Sequence, residues 1–309
     1  MSLTKLKKAF LREAMTKAEF IDEMHKRHQY LYEYAEFIRD TDIARIEIAE
    51  GRVVMTTREG VQISCDPRDK RIAPVEILNF GSYEGAHASM LNALAEDGFT
   101  ILDIGANVGY YTIRLAKQFP QASIFAFEPV PKTFENLQGN IELNGITNAT
   151  AFNFGLSDRN EERVFYCARE NSVSASAARL NLENNRRVVC RVERLDDFRK
   201  THPLTVDFLK CDVEGAEYFV FQGAAETLRQ DKPIIVTEML RKWSAKFHYH
   251  PNDIIGFLGE MGYRCFTAQD RRLHPFARMD EGTVQTNFFF LHPEKHGAKI
   301  AQWLIRKCA

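Results

Sequence analysis

Carboxylates crowd one stretch of the chain. The run Val206-Asp-Phe-Leu-Lys-Cys-Asp-Val-Glu-Gly-Ala-Glu217 brings Lys210, Asp212, Glu214 and Glu217 in directly after an apolar segment. In open α/β sheets ligands bind outside the carboxyl ends of the strands, so Asp212 and Glu214 are expected at a reaction centre. A carboxylate within hydrogen-bond reach of an acceptor can take its proton. Clustered acids raise one another's pKa, which keeps one of them useful as a base near neutrality. Plainer roles are open at each position. Asp212 could only hold a cofactor, Glu214 could complement the positive end of a helix, and Lys210 could pair with either. Glu238 closes Ile234-Ile-Val-Thr-Glu238 and would reach the same edge, as a second base or an acceptor-binding group.

A second stretch offers a cradle. Ile101-Leu-Asp-Ile-Gly-Ala-Asn-Val-Gly109 is an apolar run ending in an acid and a glycine turn, and a helix-like pattern follows. Its candidate binding residues are Asp103, Gly105, Ala106, Asn107, Gly109 and Thr112. The dinucleotide fingerprint places a glycine where the backbone must approach a pyrophosphate. Here Asn107 and Tyr110 stand in the turn, so that approach is not provided. The D-x-G-x-x-x-G form suits S-adenosylmethionine, which has no phosphate. Asp103 and nearby carbonyls can meet its ammonium, and amides at the helix N-terminus can meet its carboxylate. The next run, Ala122-Ser-Ile-Phe-Ala-Phe-Glu128, ends in an acid that can accept from both ribose hydroxyls, with Pro129 beside it. Nicotinamide folds share that acid, so it does not choose between cofactors. Gly155 and Leu156 end a third strand and would frame the adenine, while Tyr83 and Glu84 precede a helix that would cover the cofactor.

These groups need a sheet to align them. Strands are expected at 100–104, 122–127, 150–154, 205–211 and 233–238, with helices at 109–118, 131–144 and 215–229 between them. Near-continuous apolar strands alternating with helices give an α/β doubly wound, mostly parallel sheet. Two β-rich runs, 163–168 and 188–192, interrupt the alternation and flank a polar segment, 171–185, in which 171–176 could contact acceptor hydroxyls. A helix at 252–261, strands at 263–267 and 286–291 and an amphipathic helix over 294–308 complete the chain. Residues 1–75 read as an N-terminal accessory region, one or two amphipathic helices followed by short strands, and 76–309 as the cofactor-binding domain.

Composition narrows the classes. A net charge of −1 argues against nucleic acid as a partner. No run reaches the roughly 18 apolar residues of a membrane span, and the first residues lack an apolar signal core, so a cytoplasmic location without membrane insertion is expected. The six cysteines form no CxxC pair and suit buried thiols better than a disulfide scaffold. His248-Tyr-His250 could set two imidazoles on one side of a strand, but metal binding would need more ligands. No metal is expected, and the segment is read as an acceptor-lining loop. The amphipathic N-terminus needs a cover, which a homodimer would supply.

Taken together, Asp103-Ile-Gly-Ala-Asn-Val-Gly-Tyr-Tyr-Thr112, Phe127-Glu-Pro129, the run 136–144, Gly155-Leu-Ser-Asp158, Arg194-Leu-Asp-Asp-Phe198, Leu209-Lys-Cys-Asp-Val-Glu-Gly-Ala-Glu217 and the strand reaching Glu238 resemble the FkbM-type methyltransferases. The likeness covers about 75–292, with Cys211 standing where an aliphatic residue is expected. It implies a class I, Rossmann-like methyltransferase fold that uses S-adenosylmethionine to methylate a hydroxyl of a sugar, glycan or natural-product small molecule. On it, Gly105, Asn107 and Gly109 fall on the cofactor turn, Glu128 on the ribose acid, and Asp212 and Glu214 on the acidic turn. The competing readings are a nicotinamide-dependent oxidoreductase, disfavoured by Asn107 and Tyr110, and a non-catalytic cofactor-binding protein, disfavoured by the acid cluster.

Overall fold

The computed structural model describes residues 1–82, 85–168 and 185–305. Tyr83, Glu84, the polar stretch 171–176 and Cys308 lie outside the described residues.

The chain opens with helices α1 (Leu3–Leu11) and α2 (Lys17–Phe37). Thr16 and Glu19 close a capping box that starts α2, each side chain bonding the other's backbone amide. The helices fold back on each other, and the rings of Phe10 and Phe20 stack at 4.6 Å. Strands β1 (Ile43–Ala49), β2 (Arg52–Thr57) and β3 (Gln62–Cys65) then form an antiparallel meander. Helices α3 (Ala73–Phe80) and α4 (Gly85–Leu94) lead into the alternating part.

That part runs β4 (Thr100–Ile104), α5 (Tyr110–Gln118), β5 (Ser123–Phe127), α6 (Pro131–Leu143) and β6 (Ala149–Phe152). It is interrupted by β7 (Gly155–Leu156), β8 (Glu161–Ala168) and β9 (Asn185–Glu193), a small sheet ordered β7-β9-β8. It resumes with α7 (Leu195–Thr201), β10 (Phe208–Cys211), α8 (Glu217–Gly223), α9 (Ala225–Asp231) and β11 (Ile234–Glu238). Helix α10 (Arg241–Ser244), a 3-10 turn (Ala245–Phe247), α11 (Pro251–Glu260), β12 (Arg264–Gln269), β13 (Arg272–Pro275), β14 (Asn287–Leu291) and α12 (Pro293–Trp303) follow.

The main sheet is ordered β13-β12-β14-β11-β10-β4-β5-β6. The five strands from β11 to β6 are parallel, and β14 inserts antiparallel beside β11. This is the expected mostly parallel, doubly wound class I architecture. Successive strand residues face opposite sides. Leu102, Leu209, Ile235 and Phe290 therefore pack on one face with Phe198, Val220, Phe221 and Leu258 from α7, α8 and α11. Ile101, Phe208, Ile234 and Phe289 pack on the other with Met90, Leu115 and Ile300 from α4, α5 and α12. With both faces covered, the carboxyl ends of the strands are left as the place where polar groups can gather.

Two expectations change. The helix anticipated over 215–229 is two, α8 and α9, because the chain at Gly223 abuts β7. A Cβ there would lie 1.9 Å from the Ser157 carbonyl oxygen. Residues 215–216 belong to the turn, since Gly215 has φ +100°. The last helix ends at Trp303 rather than 308.

The N-terminal meander is tied to the body by α6. Asn140 accepts from the Ser64 amide (3.0 Å) and donates to the Val108 carbonyl (2.9 Å). Asn144 accepts from the Gln62 amide at 2.9 Å. Val61 and Ile63 bury against Val108 and Ile113.

Candidate functional site

A cleft opens at the carboxyl ends of β4, β5 and β10. Gly105, Ala106, Asn107, Glu128, Pro129, Gly155, Leu156, Asp212 and Glu214 all line it. One side of it is the glycine turn and the other the acid turn.

The glycine turn is pinned from two sides. The amides of Gly105 and Ala106 both donate to the Phe127 carbonyl at 3.0 Å. The Asp212 amide donates to Ile104 at 3.0 Å, which draws the acid turn against the glycine turn. Gly105 adopts φ +77°, and a Cβ on it would sit 1.9 Å from the Asp212 carbonyl oxygen. Only glycine permits that approach.

Glu128 stands at the end of β5 with its carboxylate already oriented. Oε2 accepts from the Asn107 amide (3.1 Å) and Oε1 from the Val130 amide (2.9 Å). Burial is the main reason its carboxyl is pushed up to about 7. The Asp103 charge adds to the rise, and the two amides and Lys210 oppose it. Each oxygen keeps a lone pair for a ligand hydroxyl.

Asp103, Thr112, Gly109 and Glu238 are not among the cleft-lining residues. Asp103 is fully buried, accepts from the Thr112 hydroxyl at 2.7 Å and lies 3.3 Å from Lys210 Nζ. Gly109 is the left-handed N-cap of α5, packed on Leu137. Glu238 ends β11 beside Asn287 of β14. Lys210 itself does line the cleft, 3.9 Å from Asp212 and 5.0 Å from the centre of the Tyr111 ring. Taking away such a buried cation would leave Asp103 uncompensated, at a cost of about 3–5 kcal/mol.

The acid turn separates its carboxylates by role. Glu217 turns inward, where Oε1 accepts from the amides of Val213 (3.1 Å) and Gly215 (3.0 Å). The Tyr249 hydroxyl donates to the Gly215 carbonyl at 2.8 Å and lies 3.2 Å from Glu217 Oε2. Burial pushes the Glu217 carboxyl up to about 7. Glu214 instead sits in left-handed backbone, φ +54°, and lines the cleft half-buried. Its carboxyl is pushed up to about 8, first by burial and then by the charges of Asp212 and Glu217, against the opposing pull of Lys242 and Arg71. A carboxylate with that affinity for protons is chemically suited to general-base work.

None of residues 248–250, read as an acceptor-lining loop, is among the cleft-lining residues. His250 caps α11, accepting from the Asn252 amide through Nδ1 at 3.1 Å. Tyr249, between the histidines, holds the acid turn. Its role had no signal in the sequence, because it depends on α8 and α11 meeting. Among the described residues the free thiols of Cys190, Cys211 and Cys265 are buried, whereas Cys65 and Cys167 are half-buried. Among the described residues no helix is long and apolar enough to cross a membrane.

Comparison with known proteins places these features in context. Residues 103–265 match the family described as the methyltransferase FkbM domain. Methyltransferase 1 of Beauveria bassiana is 33% identical over 147 residues, 41% of this chain and 59% of that protein. The 2-O-methyltransferase NoeI of Sinorhizobium fredii is 28% identical over 196 residues, 59% of this chain and 79% of that protein. A crystal structure of methyltransferase FkbM from Methylobacillus flagellatus aligns over 85% of this chain and 59% of its own, with 13% identity and a TM-score of 0.45. The chain spans about six tenths of the length of two curated relatives, the Beauveria protein and methyltransferase sdnD of Sordaria araneosa.

Proposed function

The chain belongs to the FkbM methyltransferase family, and from that premise we propose that it uses S-adenosylmethionine to methylate a hydroxyl oxygen of a sugar, glycan or natural product. One observation carries this reading: a single cleft is lined both by Glu128 and by Asp212 and Glu214. The 2-O-methyltransferase among the relatives supports oxygen as the target.

The residues fit the cofactor. Glu128 offers lone pairs to the ribose hydroxyls, and Gly155 and Leu156 an apolar edge for the adenine. The backbone of Gly105 to Asn107 takes the amino-acid end. With Asp103 fully buried beneath the turn, the ammonium falls to Asp212 and the turn's carbonyls. When bound, S-adenosylmethionine supplies an electrophilic methyl on a sulfonium. Glu214 would take the proton from the acceptor hydroxyl at its carboxylate. Asp212 and Lys210 hold the floor's charge in place.

Titration calorimetry with S-adenosylhomocysteine tests the cofactor half. Glu128→Gln is expected to weaken binding by roughly 10- to 100-fold, the value of hydrogen bonds to a charged group. With a carboxyl near 7, the wild-type protein gains acceptor character as pH rises through that value, so affinity falls below it and the Gln variant flattens the dependence. Folded protein that binds no S-adenosylhomocysteine at any pH would sink the reading.

A second copy of the chain is the proposed cover for α2. None of its 21 residues is buried, and Ile21, Leu31, Tyr34 and Phe37 are exposed. Helices draw their stability chiefly from packing. Light scattering should report a dimer that Leu31→Glu with Tyr34→Glu converts to a folded monomer. A wild-type monomer at micromolar concentration would count against it.

A further inference from the structure

The sheet edge continues past the cleft. Strands β4, β5 and β10 end at the cleft, and β11 and β14 lie beyond β10. A second pocket opens there, between α4 and the start of β14. Its polar lining is His87, Gln285, Thr286 and Asn287, and the other described residues around it are apolar.

Register ties this pocket to the cleft. Cys211 pairs with Thr237, and Glu238 pairs with Asn287. Asp212, Glu238 and Asn287 therefore fall in one row across the ends of β10, β11 and β14. Neighbouring strands lie about 4.8 Å apart, so the row spans about 10 Å. Its first member lines the cleft and its last lines the pocket. Lys210, on the cleft wall, also acts electrostatically on His87 in the pocket.

The lining selects by charge. Among its described residues no side chain is ionised near neutrality. Burial, then the charges of Lys210 and Arg114, pushes the His87 imidazole down to about 3. The amides of Gln285 and Asn287 and the Thr286 hydroxyl each donate and accept, as sugar hydroxyls do. Half-buried Glu238, at the near end, accepts from hydroxyls and repels an anion. A phosphate or carboxylate placed here meets no cation in the lining, and an apolar scaffold would bury the amides unpaired.

We propose that this second pocket is the acceptor site and that the acceptor is a neutral, polyhydroxylated ring, held by Gln285, Thr286 and Asn287 and bridged by Glu238 to Asp212. This rests on the methyltransferase reading above and deepens it. One hydroxyl of the ring extends along the row toward the cleft, while the others stay on the amides. Neutral sugars are accepted, and anionic sugars and apolar natural products are not.

Saturation-transfer NMR reads the weak binding of single sugar units to protein saturated with S-adenosylhomocysteine. Methyl glucoside, methyl galactoside and methyl mannoside are compared with glucose 6-phosphate and glucuronic acid. Saturable transfer to at least one neutral glycoside and none to either anion is expected. Gln285→Ala with Asn287→Ala should weaken glycoside binding by about tenfold, the value of two neutral hydrogen bonds. Calorimetry with S-adenosylhomocysteine should be unchanged in that variant, which also reports its fold. Gln285 is exposed, so Gln285→Ala alone serves if the pair unfolds, with a loss of about threefold. Transfer to no neutral glycoside, equal transfer to an anion, or variants that bind as wild type overturn the proposal. Failure of S-adenosylhomocysteine itself to bind would overturn the cofactor reading instead, so the two outcomes are separable.

Discussion

Glu214→Gln lowers the methyl-transfer rate by roughly two to four orders of magnitude, the value of a positioned general base, with S-adenosylhomocysteine affinity within a few-fold of wild type. The expectation follows from the division of labour in the acid turn. Glu217 has its oxygens committed to two amides and a tyrosine, and Asp212 sits by Lys210. Glu214 alone combines a place on the cleft wall with a carboxyl pushed up to about 8. The sign of the pH dependence is fixed by that direction. The working form is the ionised one, so the rate should rise as pH passes through about 8 and level above it, and the Gln variant should lack this limb. Single-turnover assays with a confirmed acceptor provide the check. Full activity in Glu214→Gln beside an inactive Asp212→Asn would move the base to Asp212.

The second large effect lies in the backbone. Gly105→Ala should abolish measurable S-adenosylhomocysteine binding and destabilise the fold by at least about 2 kcal/mol. A left-handed backbone costs an L-residue about 1–2 kcal/mol, and here the methyl must also displace a backbone carbonyl that would lie 1.9 Å away. Gly139→Ala is the matched control. It lies within α6 with open space around its Cβ position, and helix propensity makes it neutral or stabilising. Thermal unfolding with calorimetry on both variants separates the specific clash from a general intolerance of alanine. A Gly105→Ala protein that binds normally would show the two turns to be less closely coupled than their hydrogen bonds imply.

The glycine-turn side of the cleft was legible in the sequence because each of its parts is local. A strand, an acid, a glycine turn and a helix follow one another without a break, and Glu128 is read simply as the end of the next strand. What stayed hidden depends on side-chain direction across elements. Asp103 reads as a ligand contact from its place at a strand end, yet period-two alternation turns it inward to Thr112 and Lys210. Glu214 and Glu217 look equivalent in a run of acids, and only the left-handed backbone at Glu214 parts them. Glu238 ends a parallel strand as expected but lies off the cleft lining, because β10 and β4 supply the nearer edges. Asn140 and Asn144 fall in an expected helix, and nothing in their spacing shows that their side-chain amides fasten the meander of residues 43–65 to the core. Tyr249 acts on the acid turn from 32 positions beyond Glu217 in sequence, a distance over which no spacing rule operates.

The contact between Gly105 and Asp212 also bears on how such a protein can diversify. It fuses the two turns of the floor into a single rigid piece, so drift in one is felt at once by the other, and inherited change there is costly. The helix beside the acid turn is tied less tightly, through Gly215, whose Cβ would lie 2.9 Å from Trp243. Lys242, Trp243 and Lys246 occupy a short helix and a single turn, and Arg71 a loop. Substitutions are therefore accommodated more readily at those positions than on the floor, where one change disturbs both turns at once.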